Sequence, residues 1–122
     1  MKVLLVEDDD FMRDMIGMVL TAEQYQVCGA ANGAEALQQL QENGDCAAVV
    51  CDMYLPDTDG LTLSAQLKAR CPGLLFLLLT GESDETIRQR AATLGIQYMM
   101  KDENFAESIL TGLQAGWPAT VK

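Results

Sequence analysis

The chain has 122 residues, 49% of them apolar, and its eight basic and eighteen acidic side chains give a formal net charge of −10. This length predicts one folded domain, and the lack of any apolar run of about 18 residues argues against a membrane span. The acidic balance argues against direct nucleic-acid binding, because phosphates require clustered Lys and Arg. No signal-peptide pattern precedes the first apolar run, so we expect a cytoplasmic protein that does not bind membranes.

Strand and helix patterns alternate five times along the chain. Short apolar runs predict five strands, at residues 2–6, 25–30, 47–51, 74–79 and 97–100. Apolar residues recur at helical spacing after each run, and the last helix is expected near residues 104–115. Ser83 is expected to cap the fourth helix, whose apolar face would carry Ile87, Ala91 and Leu94, and Gly95 is expected to end it.

The four cysteines indicate neither a zinc site nor a disulfide framework. They lack Cys-x-x-Cys spacing, and the chain contains no histidine. We therefore expect buried thiols at Cys28, Cys46, Cys51 and Cys71.

A regular (βα)₅ chain with short connections predicts a parallel sheet with helices on both faces. The expected architecture is a flavodoxin-like, doubly wound α/β fold with five parallel strands in the order 2-1-3-4-5. In that order the first and third strands are neighbours, and the carboxyl ends of all five strands lie along one edge of the sheet.

Polar residues follow four of the predicted strands, where they would converge on one pocket. They are the acidic segment 7–9, Asp52, Thr80 and Lys101. An oxygen-rich site without His or Cys suits Mg²⁺. A carboxylate in such a site can act as a nucleophile toward phosphorus, while an ammonium and a hydroxyl stabilise the phosphoryl oxygens.

Four segments resemble the receiver domains of two-component response regulators. They are residues 3–9 (VLLVEDD), 51–60 (CDMYLPDTDG), 80–81 (TG) and 98–101 (YMMK). The resemblance covers essentially the whole chain and implies a receiver domain over residues 1–116, with a C-terminal tail or the start of a linker at 117–122. It implies a phosphorylation-controlled switch in which Asp52 accepts a phosphoryl group from a sensor histidine kinase or histidine phosphotransfer protein. Self-catalysed transfer to Asp52 and slow autodephosphorylation are implied as well.

The same resemblance implies a Mg²⁺ site and a phosphoryl site around Asp52. Asp8, Asp52 and the backbone carbonyl of Tyr54 would bind Mg²⁺, with Glu7 helping through water. The backbone of Tyr54 and Gly81 would contact the phosphoryl oxygens.

Further roles are implied for three residues of the last two strands. Thr80 and Lys101 would stabilise the phosphoryl group. Thr80 would also form a switch pair with Tyr98, whose aromatic side chain moves inward on phosphorylation.

One position departs from the family pattern, because Asp102 stands where proline usually follows the lysine in a cis peptide. A non-proline cis bond costs about 2.5–4 kcal/mol, so we expect a trans peptide here. We also hypothesise that Asp102 competes for the Lys101 ammonium and lowers phosphorylation efficiency.

Two other classes of function fit parts of the pattern. Asp8 and Asp10 match the Asp-x-Asp pattern of haloacid-dehalogenase-like phosphohydrolases, which would make Asp8 the nucleophile. That class leaves the segment 52–60 unexplained and needs a substrate-selecting cap for which this chain has no room. The third class is a phosphorylation-independent interaction module, against which the intact set of acids, Thr80 and Lys101 argues.

The charges near the end of the chain indicate how a phosphorylation-dependent homodimer could form. Residues 102–107 contain acids but no Lys or Arg, whereas the predicted fourth helix carries Arg88 and Arg90. We therefore hypothesise that Arg88 and Arg90 face those acids in a partner copy.

Overall fold

Strands and helices alternate along residues 1–116, the part of the chain that the computed structural model describes. The segment 117–122, expected to be a tail or linker, lies outside the described residues. The elements are β1 (Lys2–Val6), α1 (Asp10–Ala22), β2 (Gln26–Ala30), α2 (Gly33–Glu42), β3 (Cys46–Asp52), α3 (Gly60–Arg70), β4 (Leu75–Thr80), α4 (Glu85–Thr93), β5 (Gln97–Met100) and α5 (Phe105–Gly116).

The five strands form one parallel sheet in the order β2-β1-β3-β4-β5. This confirms the predicted fold class and strand order. Each strand begins and ends within one residue of its predicted bounds, because the apolar runs that mark buried parallel strands are continuous and sharply bounded. β1 lies between β2 and β3, so the residues that follow β1 and β3 are neighbours at the carboxyl edge.

Helices cover both faces of the sheet and bury a core on each side. α1 and α5 pack on one face, and α2, α3 and α4 pack on the other. The strands alternate between these two cores, as parallel strands covered on both faces must. The core between the sheet and helices α1 and α5 contains Val3, Leu5, Ile16, Leu20, Ala48, Val50, Leu77, Leu79, Ile109 and Leu113.

No helix among residues 1–116 is long and apolar enough to cross a membrane.

The ends of α4 differ in part from the sequence-based expectation. The predicted cap at Ser83 is wrong, because the Asp84 carboxylate accepts the hydrogen bonds from the N–H groups of Thr86 (2.9 Å) and Ile87 (3.2 Å). Leu94 is also not part of the buried face, since it is the exposed C-cap residue. The helix ends before Gly95, as predicted, and Gly95 has a positive φ of 73°, which glycine adopts without strain.

The four cysteines are free thiols, as predicted. Cys46 and Cys51 are buried, as predicted, whereas the prediction of burial is wrong for Cys28 and Cys71, which are half-buried. Burial raises the pKa of the Cys46 thiol to about 11 and raises that of Cys51 well above its ordinary value. Because the thiolate is the reactive form, these two residues are unreactive packing groups at neutral pH.

The connection between β3 and α3 passes very close to the sheet at Gly60. Its N–H donates to the carbonyl oxygen of Met53 at 2.7 Å. A Cβ atom at this position would lie 2.9 Å from the carbonyl oxygen of Asp52 and would overlap the side chain of Leu78. Since the Asp52 carbonyl belongs to the backbone of β3, the strand itself would have to move to admit a side chain.

We therefore expect Gly60→Ala to lower the free energy of unfolding by about 1–3 kcal/mol, the usual range for overpacking a tight site. Urea denaturation followed by circular dichroism measures this change. Gly73→Ala is the matched control, because no atom lies within 4 Å of a Cβ atom built at Gly73. A Gly60→Ala protein as stable as the Gly73→Ala protein would contradict the close approach described here.

Candidate functional site

Three carboxylates meet where β1 and β3 end. Val6 is paired with Cys51 in the sheet, so Glu7 and Asp52 are the next residues on two adjacent strands. Asp8 follows Glu7 in the connection to α1. One carboxylate oxygen from each of these three residues lies within 4.8 Å of the others.

The three acids differ in their exposure to solvent. Glu7 is buried, with 2% of its surface accessible, whereas Asp52 is half-buried and Asp8 is exposed. Hard carboxylate oxygens at this spacing fit a Mg²⁺ ion, which takes one or two protein carboxylates and keeps several waters. The exposed side of the cluster, at Asp8, leaves room for such water ligands.

Lys101 provides the positive charge that faces two of these acids. Its Nζ atom lies 2.7 Å from Oε1 of Glu7 and 2.9 Å from Oδ1 of Asp52. Lys101 directly follows β5, and its N–H donates to the carbonyl oxygen of Thr80 at 2.8 Å, which continues the pairing of β4 with β5. The pairing of β4 with β5 therefore fixes the position of the Lys101 backbone, from which the side chain extends to the acidic cluster.

Burial and ion pairing have opposite effects on the pKa values of Glu7 and Lys101. Burial raises the pKa of the Glu7 carboxyl above its ordinary value, although the hydrogen bonds from Lys101 and from the N–H of Asp9 offset part of that rise. For Lys101, burial lowers the pKa, but the hydrogen bonds to Glu7 and Asp52 outweigh it and the pKa is raised overall. The ammonium therefore stays protonated at neutral pH and stabilises the charge of both carboxylates.

Arg13 holds the segment that carries the acids, a contact that the sequence did not indicate. One guanidinium nitrogen donates to the carbonyl oxygen of Glu7 at 2.7 Å, and the other lies 2.5 Å from Oδ1 of Asp10. The three-residue spacing of Asp10 and Arg13 indicates a helical ion pair. The contact to the Glu7 backbone, however, depends on how α1 packs against β1.

The Thr80 and Tyr98 hydroxyls meet at one backbone carbonyl, that of Glu82. Tyr98 donates to the Glu82 oxygen at 2.8 Å, and the buried Thr80 hydroxyl lies 3.4 Å from the same oxygen and accepts from the Glu82 N–H at 3.2 Å. Tyr98 also accepts from the N–H of Asp84, and the Arg88 guanidinium lies 5.5 Å from its ring centroid. The predicted switch residues are thus linked through the β4–α4 connection, and the Thr80 hydroxyl hydrogen-bonds there rather than to a carboxylate.

Tyr54 and Gly81 lie on exposed connections at the same edge. The Tyr54 side chain is 54% exposed, and its backbone forms an isolated bridge with Asp59. Gly81 follows Thr80 directly, and no atom lies within 4 Å of a Cβ atom built there. Both backbones therefore border an open surface next to the acidic cluster.

Asp102 does not pair with the Lys101 ammonium in this structure, which contradicts the competition that we hypothesised. Its carboxylate accepts instead from the N–H of Asn104 at 2.9 Å, and its carbonyl oxygen accepts from the N–H of Phe105 at 3.1 Å. The short side chain satisfies the turn that begins α5, which is a common use of Asp. The described residues contain no cis peptide, so the Lys101–Asp102 bond is trans, as expected. The effect of Asp102 on phosphorylation efficiency stays a prediction.

Comparison with known proteins places this arrangement in a family. The family model of the response regulator receiver domain matches residues 3–111. The chain belongs to this family. Receiver domains are phosphoryl-accepting switches of two-component systems, and this chain is a receiver domain. Receiver domains as a family interact with histidine kinases or phosphotransfer proteins.

Two curated relatives and two solved structures illustrate the similarity. The receiver domain is 35% identical to the sensor protein TorS of Escherichia coli over 95 residues, which are 77% of this chain and 10% of TorS. It is 29% identical over 109 residues to the uncharacterized transcriptional regulatory protein YbdJ of Bacillus subtilis, covering 89% of this chain and 48% of YbdJ. The chain thus spans less than half the length of either relative.

The structural matches cover nearly the whole of both chains. The chemotaxis protein CheY4 of Vibrio cholerae superposes with a TM-score of 0.86 at 27% identity, over 95% of this chain and 98% of that one. A CheY-like receiver domain protein of Methanospirillum hungatei gives a TM-score of 0.83 at 27% identity, over 92% and 89%.

The proximity of three carboxylates predicts a gain in stability when one of them is neutralised. We expect Asp8→Asn to raise the melting temperature by about 3–5 °C in the presence of a chelator, because one of three neighbouring negative charges is removed. With Mg²⁺ present, the wild-type protein should gain more stability than the variant. Thermal unfolding followed by circular dichroism measures both effects.

Asp14→Asn is the control, because Asp14 is an exposed acid on α1 that is not in the cluster. It should leave the response to Mg²⁺ unchanged. If Asp8→Asn were less stable than wild type in chelator, Asp8 would not be under electrostatic strain.

Proposed function

We propose that Asp52 is the phosphoacceptor of this receiver domain. The observation that carries the proposal is the contact between Asp52 and the Lys101 ammonium at the edge of the acidic cluster. Among residues 1–116, the polar contacts of the Asp52 carboxylate are made through Oδ1. The second oxygen, Oδ2, is therefore available as a nucleophile.

In the proposed reaction, Oδ2 of Asp52 attacks the phosphorus of a phosphohistidine on a partner protein. A phosphorus–oxygen bond forms, the phosphorus–nitrogen bond breaks, and its electron pair returns to the imidazole nitrogen. The Lys101 ammonium, already 2.9 Å from the carboxylate, stabilises the negative phosphoryl oxygens as they arrive. Backbone N–H groups of Tyr54 and Gly81 and the hydroxyl of Thr80 would donate to the same oxygens.

The acidic cluster fits a bound Mg²⁺ ion. Asp8, Asp52 and the backbone carbonyl of Tyr54 are the proposed ligands, and Glu7 would act from the buried side. A bound Mg²⁺ would neutralise charge on both the carboxylates and the phosphoryl oxygens. Because Glu7 is held by Lys101 at 2.7 Å, we propose that it orients water or the ammonium rather than leaving the ion pair.

Thr80 and Tyr98 would transmit phosphorylation to the surface formed by α4, β5 and α5. The Thr80 hydroxyl must leave its contacts with Glu82 to reach a phosphoryl oxygen, and the Glu82 carbonyl would then accept from Tyr98 alone. A change at the active site would thereby alter the β4–α4 connection, so a local electrostatic event would be transmitted to that surface.

The two alternative functions fit the structure less well. A phosphohydrolase with Asp8 as nucleophile would use the one acid of the cluster that makes no recorded ion pair with Lys101, and it would leave the Lys101–Asp52 contact without a role. A module that acts without phosphorylation would not require a buried Glu7 held by an ammonium. Both alternatives predict that Asp52 can be replaced without loss of activity.

The proposed partner is a sensor histidine kinase or a histidine phosphotransfer protein, encountered in the cytoplasm. A phosphorylation-dependent homodimer remains part of the proposal, through the basic residues of α4.

Phosphorylation by a small donor tests the assignment of Asp52. Incubation with acetyl phosphate and Mg²⁺ should add one phosphoryl group to the wild-type protein by intact mass, and none to Asp52→Ala. Excess chelator should prevent the adduct, and Asp14→Ala, which removes an exposed acid outside the cluster, should retain it. An adduct on folded Asp52→Ala would rule out Asp52 as the acceptor.

Charge reversal on α4 tests the proposed homodimer. Arg90→Glu should weaken phosphorylation-dependent dimerisation by about tenfold, as measured by sedimentation, because it would face acids of the partner copy. Arg90 is the better probe than Arg88, since Arg88 also contacts the Tyr98 ring. Arg70→Glu, a reversal of an exposed charge on α3, is the control, and an equal effect of both variants would exclude a specific role for α4.

A further inference from the structure

The N-terminus of α2 is closed by residues from two different parts of the chain. Asn32 caps the helix from within, since its side-chain oxygen accepts from the N–H of Glu35 at 2.8 Å. The Glu35 carboxylate accepts in return from the N–H of Ala31 and from the Asn32 side chain, both at 3.1 Å. These contacts cap the helix from its own segment, but they leave the N–H groups of Gly33 and Ala34 without a local acceptor.

Asp57, in the connection between β3 and α3, accepts both of these hydrogen bonds. Its Oδ1 lies 2.8 Å from the nitrogen of Gly33, and its Oδ2 lies 3.0 Å from the nitrogen of Ala34. The two backbone hydrogen bonds lower the pKa of the Asp57 carboxyl, so it is ionised at neutral pH. A negative charge at this position also interacts favourably with the helix dipole of α2.

The contact between this connection and α2 is sterically close as well as hydrogen-bonded. A Cβ atom at Gly33 would lie 2.6 Å from the Thr58 methyl group and 3.3 Å from Oδ1 of Asp57. A side chain at position 33 would therefore require the Thr58 side chain to shift away from the first turn of α2.

The hydrogen bonds of Asp57 link residues 54–58 of the β3–α3 connection to α2. The connection is closed on itself by hydrogen bonds from Gly60 to Met53 and from Leu55 to Thr58, together with the bridge between Tyr54 and Asp59. Among residues 1–116, the hydrogen bonds that link positions 54–58 to α2 are all accepted by the Asp57 carboxylate. This connection carries Tyr54, two residues after Asp52.

We propose that Asp57 is a positioning residue for the Mg²⁺ site, acting through the connection that carries the Tyr54 carbonyl. The inference rests on the proposed function, in which that carbonyl is a ligand. By fixing residues 54–58 against α2, Asp57 holds the Tyr54 backbone beside Asp52 before the ion binds. Residues that orient metal ligands without touching the metal raise affinity by reducing the reorganisation that binding requires.

Mg²⁺ titration of Asp57→Asn, followed by nuclear magnetic resonance shifts of backbone amides, tests this role. The variant keeps the size of the side chain but replaces one acceptor oxygen with an N–H donor, so it cannot accept from both amides. We expect a dissociation constant for Mg²⁺ about tenfold weaker than that of wild type. Hydrogen exchange at the Gly33 and Ala34 amides should become faster in the same variant.

Two further variants separate positioning from helix stability. Asn32→Ala removes the internal cap of α2 but leaves Asp57 in place, so it should destabilise the protein without weakening Mg²⁺ binding. Gly33→Ala retains the Asp57 charge but pushes Thr58 away from α2, so it should weaken Mg²⁺ binding in the same direction as Asp57→Asn.

The outcomes distinguish this inference from the proposed function. Wild-type Mg²⁺ affinity in either folded variant, Asp57→Asn or Gly33→Ala, would overturn the positioning role, as would an equal loss of affinity in Asn32→Ala. A wild-type protein that binds no Mg²⁺ would overturn the proposed metal site itself, and the inference with it.

Discussion

The arrangement of the site depends on one ammonium group shared between two carboxylates. Lys101 follows β5, and its Nζ reaches both Glu7 at the end of β1 and Asp52 at the end of β3. A carboxylate as buried as Glu7 is strongly unfavourable without a partner, because it loses its hydration. Acids can therefore be concentrated on this edge because the fold brings a cation to them from β5, two strands from β3 and three from β1.

The site nevertheless retains an excess of negative charge. Three carboxylates lie near a single ammonium, and Asp8 makes no recorded ion pair with it. This excess favours the binding of a divalent cation and, once the cation is present, of an anionic phosphoryl group. Such a concentration of titratable groups with perturbed pKa values is typical of functional sites.

The connections around the sheet edge are fixed by contacts with their own backbone and with neighbouring helices. Arg13 holds the carbonyl of Glu7, Asp57 holds the β3–α3 connection, and the Glu82 carbonyl receives the Thr80 and Tyr98 hydroxyls. Each of these contacts joins a side chain to a backbone group, and all but the Thr80 contact join different segments of the chain. They make the positions of the reactive groups dependent on the packing of α1, α2 and α4 against the sheet.

The sequence by itself determined the fold, because continuous apolar runs and helical periodicity are local signals that specify parallel strands and their covering helices. It also located the acids, Thr80 and Lys101, since residues at the carboxyl ends of parallel strands must share one edge. It did not determine which side chains pair there. Ser83 and Asp84 are equally good caps by composition, and Asp102 is nearer to Lys101 in sequence than Glu7 is. Only the tertiary structure decided these pairings, because they depend on the direction of each side chain and on backbone groups that no residue type reveals.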